Sequence, residues 1–234
     1  MALVILVLSI VLLTASPGEA HVVLDGDTVQ PLLVEITRDL REARDGATEE
    51  SRLEALYGLG ERAQSLADLM NLDATSHGQS LYAELLVKRL EEYGIRIRRV
   101  GRNMRYAYDM AAFQDYLQRA PRGTRAADAS FRLMAQAFYG SVGADPAVLV
   151  DINVDQLRAA ILREESFLKD YPSSDKVKNV RFFLAMDYYR LSRNSRDPAT
   201  VREYKQRAAR TLKQLVKEYP GTPEARAAES VLER

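Results

Sequence analysis

From residue 28 onward, apolar residues recur at the three- and four-residue spacing that places them on one face of an α-helix. The clearest run spans residues 53–70 and follows the capping residue Thr48. A preceding helix is predicted from Thr28 to the stop at Asp45-Gly46. The pattern therefore predicts a largely α-helical chain with short turns.

A third helix is predicted from a capping box at residues 76–79 to a C-terminal stop at Gly94. Its apolar stripe is predicted to face the core and consists of Leu81, Leu85, Leu86 and Leu90. Further helix starts are predicted where a capping side chain precedes proline, at Asp145-Pro146, Asp197-Pro198 and Thr222-Pro223.

The helical spacing is interrupted at residues 95–108, where apolar and polar residues alternate with period two on both sides of a turn at 101–103. This alternation predicts a short β-hairpin inserted between helices. Arg96 and Arg98 would share one face, opposite Ile95 and Ile97. Because a lone hairpin is marginal in water, it should lie against a helix or meet a partner.

Three segments of the second half can be superimposed on their prolines, Pro121, Pro172 and Pro220. Each segment ends an amphipathic helix, passes through a short polar turn and restarts a helix rich in small residues. The prolines lie 51 and 48 residues apart (172 − 121 and 220 − 172). Such regular spacing of a helix–turn–helix unit is typical of a stacked repeat array.

The repeated residues resemble the tetratricopeptide repeat, whose helix A carries W-x2-L-G-x2-Y and whose helix B carries A-x3-F…P. Three stretches carry the resemblance: Phe131-x2-Met134-Ala135-x2-Phe138, Leu184-Ala185-x2-Tyr188 and Ala208-x3-Leu212-x2-Leu215-x4-Pro220. Arg181 stands where helix A should begin with an aromatic residue, and Glu164 stands at an apolar position of helix B. Leu56-x2-Leu59-Gly60 resembles part of the helix A motif and is interpreted as a remnant of an earlier repeat.

The Tyr-Pro ends of the units are similar to those of bacterial envelope tetratricopeptide proteins of the outer-membrane-assembly and cell-division types. The resemblance implies an all-α solenoid of antiparallel helix hairpins that binds a protein or peptide partner on a concave face lined by helix A. The residues it places on that face are Arg132, Gln136, Tyr139, Asn179, Phe182, Tyr189 and Arg190. Aromatic residues and arginine are typical of binding hot spots, although each aromatic ring could equally be core between hairpins.

Residues 2–13 are apolar except for Ser9 and lead to small residues ending at Ala20, as in a signal peptide cleaved before His21. Twelve apolar residues fall short of the roughly twenty that span a bilayer. No charge precedes Glu19, so the usual positive n-region is missing, and a true start codon further upstream would explain this. A buried N-terminal helix and a leader retained as an anchor are the alternatives.

We therefore predict a signal peptide at residues 1–20, a helical region at 21–94, the β-hairpin at 95–108 and repeats at 109–234, in a periplasmic or secreted protein without a stable transmembrane span. Lysine plus arginine and aspartate plus glutamate balance at 33 each, and the leader argues against a cytoplasmic location, so we expect no nucleic-acid partner. These 234 residues contain no cysteine for a disulfide, a thiolate metal site or a lipid anchor.

Motifs of catalysis are missing from the sequence. The two histidines, His21 and His77, form no metal-binding motif, and adjacent glutamate pairs point to different helix faces. We expect neither an enzyme nor a bound metal or cofactor.

Positive charge is concentrated between residues 88 and 105, which include seven basic residues and only two glutamates. Its basic surface is predicted to comprise Arg96, Arg98, Arg99, Arg102 and Arg105. Such a ribbon could meet an anionic envelope component, or it could be an ordinary solvated face. The leading hypothesis is an exported adaptor that binds a protein partner. The alternative is a structural subunit of an envelope assembly, in outer-membrane biogenesis or cell division, that contacts an anionic surface through this hairpin.

Overall fold

Nine helices and one two-stranded antiparallel hairpin form the described part of the chain, which confirms the all-α class with a small β insertion. The computed structural model describes residues 24, 26–77, 81–100, 104–142 and 153–233, so the predicted leader, Arg102 and the Asp145-Pro146 cap lie outside it. The elements in chain order are α1 (Gly26–Asp45), α2 (Glu49–His77), α3 (Leu81–Glu92), β1 (Ile97–Val100), β2 (Arg105–Tyr108), α4 (Ala111–Arg119), α5 (Ala126–Val142), α6 (Val154–Asp170), α7 (Val177–Asn194), α8 (Pro198–Glu218) and α9 (Pro223–Leu232).

The chain forms two compact units, one of residues 17–129 and the other containing residues 130–234. In the first unit, α2 packs against both α1 and α4. Gly60 of α2 lies directly under the Phe113 ring of α4, where a Cβ atom would come within 2.8 Å of the ring carbons. The absence of a side chain at Gly60 therefore lets the two helices approach closely.

The hairpin is fastened to α2 by the side chain of Asn71. Its Nδ2 donates to the Tyr106 carbonyl oxygen, and its Oδ1 accepts from the Tyr106 N–H, both at 2.7 Å. Tyr106 pairs with Arg99 across the hairpin. Because alternate residues of an antiparallel strand direct their polar groups away from the partner strand, Asn71 acts as a third strand would. Ile97 and Tyr108 are buried while Arg98 is exposed, which confirms the predicted alternation.

We expect Asn71→Leu to loosen the hairpin, because both backbone groups of Tyr106 would lose their partner at a cost of about 2 kcal/mol. Amide hydrogen exchange across residues 97–108 should accelerate by roughly thirtyfold. Ser65→Leu, an exposed polar-to-leucine change on the same helix, is the matched control. Equal exchange in both variants would show that Asn71 does not anchor the hairpin.

The three proline joints predicted from the sequence have the same local structure. In each, the residue before proline donates its N–H to the carbonyl four residues earlier, in the pairs Ala120–Tyr116 (2.8 Å), Tyr171–Phe167 (2.8 Å) and Tyr219–Leu215 (3.0 Å). All three accepting residues are buried. Five and eight residues after each proline stand small buried side chains: Ala126 and Ala129, Val177 and Val180, and Ala225 and Ala228. The repeat is thus a property of the structure and not only of the sequence.

The core of the second unit surrounds α7, whose side chains are buried on two sides. One side contributes Phe183 to a cluster with Phe138, Leu212 and Leu215, and the other contributes Leu184 to a cluster with α6 residues. The Phe183 ring stacks on the Phe138 ring at a centroid distance of 4.3 Å. The residues of the repeat motif therefore fill the spaces between helices.

The two described proline caps are confirmed. The Asp197 carboxylate accepts from the N–H groups of Ala199 and Thr200 at the start of α8, and the Thr222 hydroxyl accepts from Ala225 N–H at 3.2 Å at the start of α9. Each cap satisfies backbone donors that the first helical turn leaves free.

Two predictions about α3 are wrong. Ser76 lies inside α2 and does not cap a new helix, since α2 continues to His77. Leu86 and Leu90 are buried, but Leu81 is 72% exposed and Leu85 is 56% exposed. On a helix turning 100° per residue, Leu81 and Leu85 project away from the sector that Leu86 and Leu90 share. The four leucines thus form two faces instead of one stripe.

Candidate functional site

The predicted concave face divides into buried and accessible residues. Arg190 is only 1% exposed, and Phe182 is packed in the core against Phe138. The prediction that these two side chains contact a partner is therefore wrong, because neither presents its surface to the outside. Tyr139 is 41% exposed, and the remaining predicted residues are half-buried: Arg132, Gln136, Asn179 and Tyr189.

Arg190 belongs to a buried ionic cluster between α6 and α7. Its Nη1 donates to Asp187 Oδ1 at 2.6 Å, and its guanidinium carbon lies 4.5 Å from the centroid of the Phe138 ring. Glu164 is buried as well, and its charge acts on the same two groups. Glu164, which departs from the repeat motif, thus has a structural counterpart in Arg190.

The cluster holds two carboxyl groups against one guanidinium. Burial raises the pKa of Glu164 well above its usual value, and the neighbouring Asp187 carboxylate raises it further. Burial also raises the pKa of Asp187 to about 6, although Arg190 opposes that rise. The arrangement favours protonation of the carboxyl groups at mildly acidic pH. Because this cluster is buried between helices, we interpret it as a determinant of stability.

The accessible part of the repeat face centres on Tyr139. Its ring meets Phe183 edge to face at 5.5 Å, which fixes its orientation on the core. Asn179 of α7 donates from Nδ2 to Glu224 Oε1 of α9 at 2.6 Å. Partial burial and then the charge of Glu224 raise the pKa of the Tyr139 hydroxyl, so Tyr139 and Glu224 act on each other. We call Tyr139, Asn179 and Glu224 the repeat-face site.

Glu224 has one bonded and one unbonded oxygen in this site, and the unbonded oxygen is buried. Its Oε1 is bonded to Asn179, while its Oε2 has no hydrogen-bond partner among the described residues. A carboxylate beside a fixed, exposed aromatic ring suits a partner side chain that combines an apolar stem with a cation or an N–H donor. Glu224 was missed in the sequence, where it is one glutamate in a helical first turn, and only the contact between α7 and α9 distinguishes it.

The structure changes the predicted basic surface, because one of its arginines turns inward and a lysine of α3 joins it. Arg98 and Arg105 are exposed, and neither forms an ion pair with any described residue. Arg96 is exposed and lies 3.9 Å from Asp109. Arg99 is half-buried, with its guanidinium 5.5 Å from the Tyr106 ring centroid, so it belongs to the inner face of the hairpin. Arg102 lies outside the described residues.

A pocket of about 400 Å³ lies between α3 and β1. Four cations and two carboxylates line it, together with Val87, Ile97 and Tyr106: the charged residues are Lys88, Arg96, Arg98, Arg99, Glu84 and Glu91. Arg99 Nε is buried there and has no acceptor among the described residues. The sequence predicted a basic hairpin here. No spacing in the sequence predicted that Lys88 of α3 would lie beside it.

These helix pairs, their matching joints and their motif residues define a helical-repeat protein of the tetratricopeptide type. The chain belongs to the YfiO family of outer membrane lipoproteins, whose model matches residues 103–234. No curated protein matches the chain. None of the helices in the described ranges has the length and apolarity needed to cross a membrane.

Proposed function

We propose that this protein is a non-catalytic scaffold of the bacterial cell envelope that binds a segment of another protein at its repeat-face site. The exposed Tyr139 ring, held edge to face on Phe183, carries the proposal. A rigid aromatic side chain provides contact area with little loss of conformational entropy, which is why such residues dominate binding energies at interfaces.

Membership of an outer membrane lipoprotein family supports an envelope location, and the apolar leader supports export to the periplasm. The proposed partner segment presents the charge of a lysine or arginine near Glu224 and an apolar group to Tyr139. This complementarity follows from the negative charge of Glu224, which acts on the exposed Tyr139.

We expect Tyr139→Ala to weaken capture of the envelope partner by at least about tenfold, the loss typical of a hot-spot residue. Affinity capture from envelope extracts, followed by titration with the identified partner, provides the measurement. Leu162→Ala is the matched control, because Leu162 is an exposed apolar residue on α6. If both variants bind alike while remaining folded, the repeat-face site is not the partner site.

A second role is supported by the basic hairpin. Arg98 and Arg105 present charge without an ion pair to any described carboxylate, as expected of a structural subunit that contacts an anionic surface. The two roles use different parts of the chain and are separable by mutation.

A further inference from the structure

The exposed apolar side chains of this protein are concentrated in one segment. Of the ten large apolar residues that are most exposed in the described chain, six fall between residues 81 and 104: Leu81, Tyr82, Leu85, Tyr93, Val100 and Met104. Exposed apolar residues scattered singly need no explanation, but a cluster of them marks an interaction surface. We call these residues, together with Lys88, Arg98 and Arg105, the α3–hairpin surface.

Charge and apolar area adjoin each other on this surface. Leu81, Leu85 and Lys88 follow the spacing i, i+4, i+7 and therefore lie on one side of α3. Lys88 and Arg98 line the same pocket, which joins this side of α3 to the hairpin. At the other end of the hairpin, Val100 pairs with Arg105 and is 47% exposed.

The pocket adds a place for an anion. Its four cations exceed its two carboxylates by two charges. A phosphate group would complement the excess positive charge. Apolar residues beside the pocket would remain in contact with whatever is attached to that phosphate.

We propose that the α3–hairpin surface binds the headgroup layer of a bilayer containing anionic phospholipids. Lipid phosphates enter the pocket lined by Lys88, Arg98 and Arg99, while Leu81, Leu85 and Val100 enter the boundary between headgroups and acyl chains. Cations, leucine and tyrosine on one surface are the combination that holds peripheral proteins at this boundary. An acidic protein would complement the cations but would leave six exposed apolar groups unexplained.

The proposal rests on the envelope location proposed above but not on the repeat-face site. It requires that the surface be rigid enough to present its residues together. The two hydrogen bonds from Asn71 to Tyr106 supply this, because they fix the hairpin to the long helix α2.

The test is co-sedimentation of the full chain with vesicles of phosphatidylcholine containing roughly 30% phosphatidylglycerol, with pure phosphatidylcholine vesicles in parallel. We expect Arg98→Glu with Arg105→Glu to weaken partitioning onto the anionic vesicles at least about tenfold. The matched control is Arg202→Glu with Arg210→Glu, since both arginines are exposed on α8 and form no ion pair with a described residue.

The apolar contribution is tested in the same way. Leu81→Ser with Leu85→Ser should weaken partitioning several-fold, whereas Val34→Ser with Leu162→Ser, which are equally exposed elsewhere, should not. Since the chain contains no tryptophan, Val100→Trp provides a single fluorescent reporter. Its emission should shift to shorter wavelength on anionic vesicles and be quenched by brominated lipids.

Several outcomes would overturn the proposal. They are equal binding to neutral and anionic vesicles, equal losses in the α3–hairpin and control variants, or a tryptophan emission of the Val100→Trp variant that vesicles do not change. If Arg98→Glu with Arg105→Glu abolishes capture of a protein partner but leaves vesicle binding intact, the surface is a protein site instead. Tyr139→Ala should leave vesicle binding unchanged, so failure of the repeat-face site and failure of the membrane surface are distinguishable.

Discussion

Replacing Arg190 with leucine is expected to destabilise the protein by about 3–5 kcal/mol, the cost of leaving a buried charge without its partner. Arg190 is 1% exposed and donates to Asp187 Oδ1 at 2.6 Å. Without the guanidinium, Asp187 and Glu164 would repel each other in the core, or would have to bind protons. Urea unfolding followed by circular dichroism measures the effect.

Arg193→Leu is the matched control, because Arg193 is exposed on the same helix and its change should stay within about 0.5 kcal/mol. A loss at Arg190 no larger than at Arg193 would mean that the cluster is not a determinant of stability.

The substitution Glu164→Gln removes one of the two buried carboxyl groups, and it should stabilise the protein at neutral pH. A carboxyl group whose pKa is raised on folding binds more protons in the folded chain, so its contribution is complete below the ordinary value of 4.5 and is lost as pH rises. The pKa values of Glu164 and Asp187 are both raised in the folded chain, that of Asp187 to about 6. The stability that these groups contribute is therefore lost between mildly acidic and neutral pH.

Unfolding free energies at about pH 5 and about pH 8 should therefore differ less in Glu164→Gln than in the original chain. Arg163 and Glu165 also act on Glu164, in opposite directions, and both are retained in this variant. An unchanged difference would show that Glu164 is ionised at the same pH in the folded and unfolded chains.

Gly60→Val is expected to cost about 2 kcal/mol, although valine is intrinsically the better helix former. The new Cβ would lie 2.8 Å from the Phe113 ring, which is itself fully buried and edge to face with Tyr57. Relief of the glycine penalty is worth less than about 1 kcal/mol, so overpacking decides the sign.

Thermal or urea unfolding measures this change, and Gly26→Val is the control because a Cβ at Gly26 would meet no atom of another described element within 4 Å. In a Phe113→Leu background the cost at Gly60 should shrink, since the smaller side chain leaves room for valine. Equal costs in both backgrounds would contradict a direct clash.

The repeat could be predicted because its rules are local. Proline ends a helix, a small residue permits close approach, and both recur at Pro121, Pro172 and Pro220 with the same hydrogen bonds. The hairpin was predictable for the same reason, from the alternation of Ile97 and Arg98.

The candidate functional site could not be predicted in full, because it depends on contacts that sequence spacing does not determine. Arg190 is a residue type common at binding hot spots, but it is buried against Asp187 of its own helix and the Phe138 ring of α5. Leu85 belonged by type to the core, yet its helix turns it outward. Glu224 becomes recognisable only beside Asn179, which lies 45 residues away. Where function depends on long-range pairs, the pattern of one helix cannot specify it.

The way in which α3 and the hairpin are attached has a consequence for how this protein can diversify. Gly60 and Phe113 hold α2 against α4, and the segment between them is joined to that pair by Asn71 on Tyr106, by the Ala112 N–H on the Tyr108 hydroxyl and by its buried apolar residues. Selection can therefore alter the charge or apolar content of the exposed residues of this segment while its buried contacts with the flanking helices are kept. Descendants of a common repeat ancestor could acquire different attachments in this way while keeping the same array.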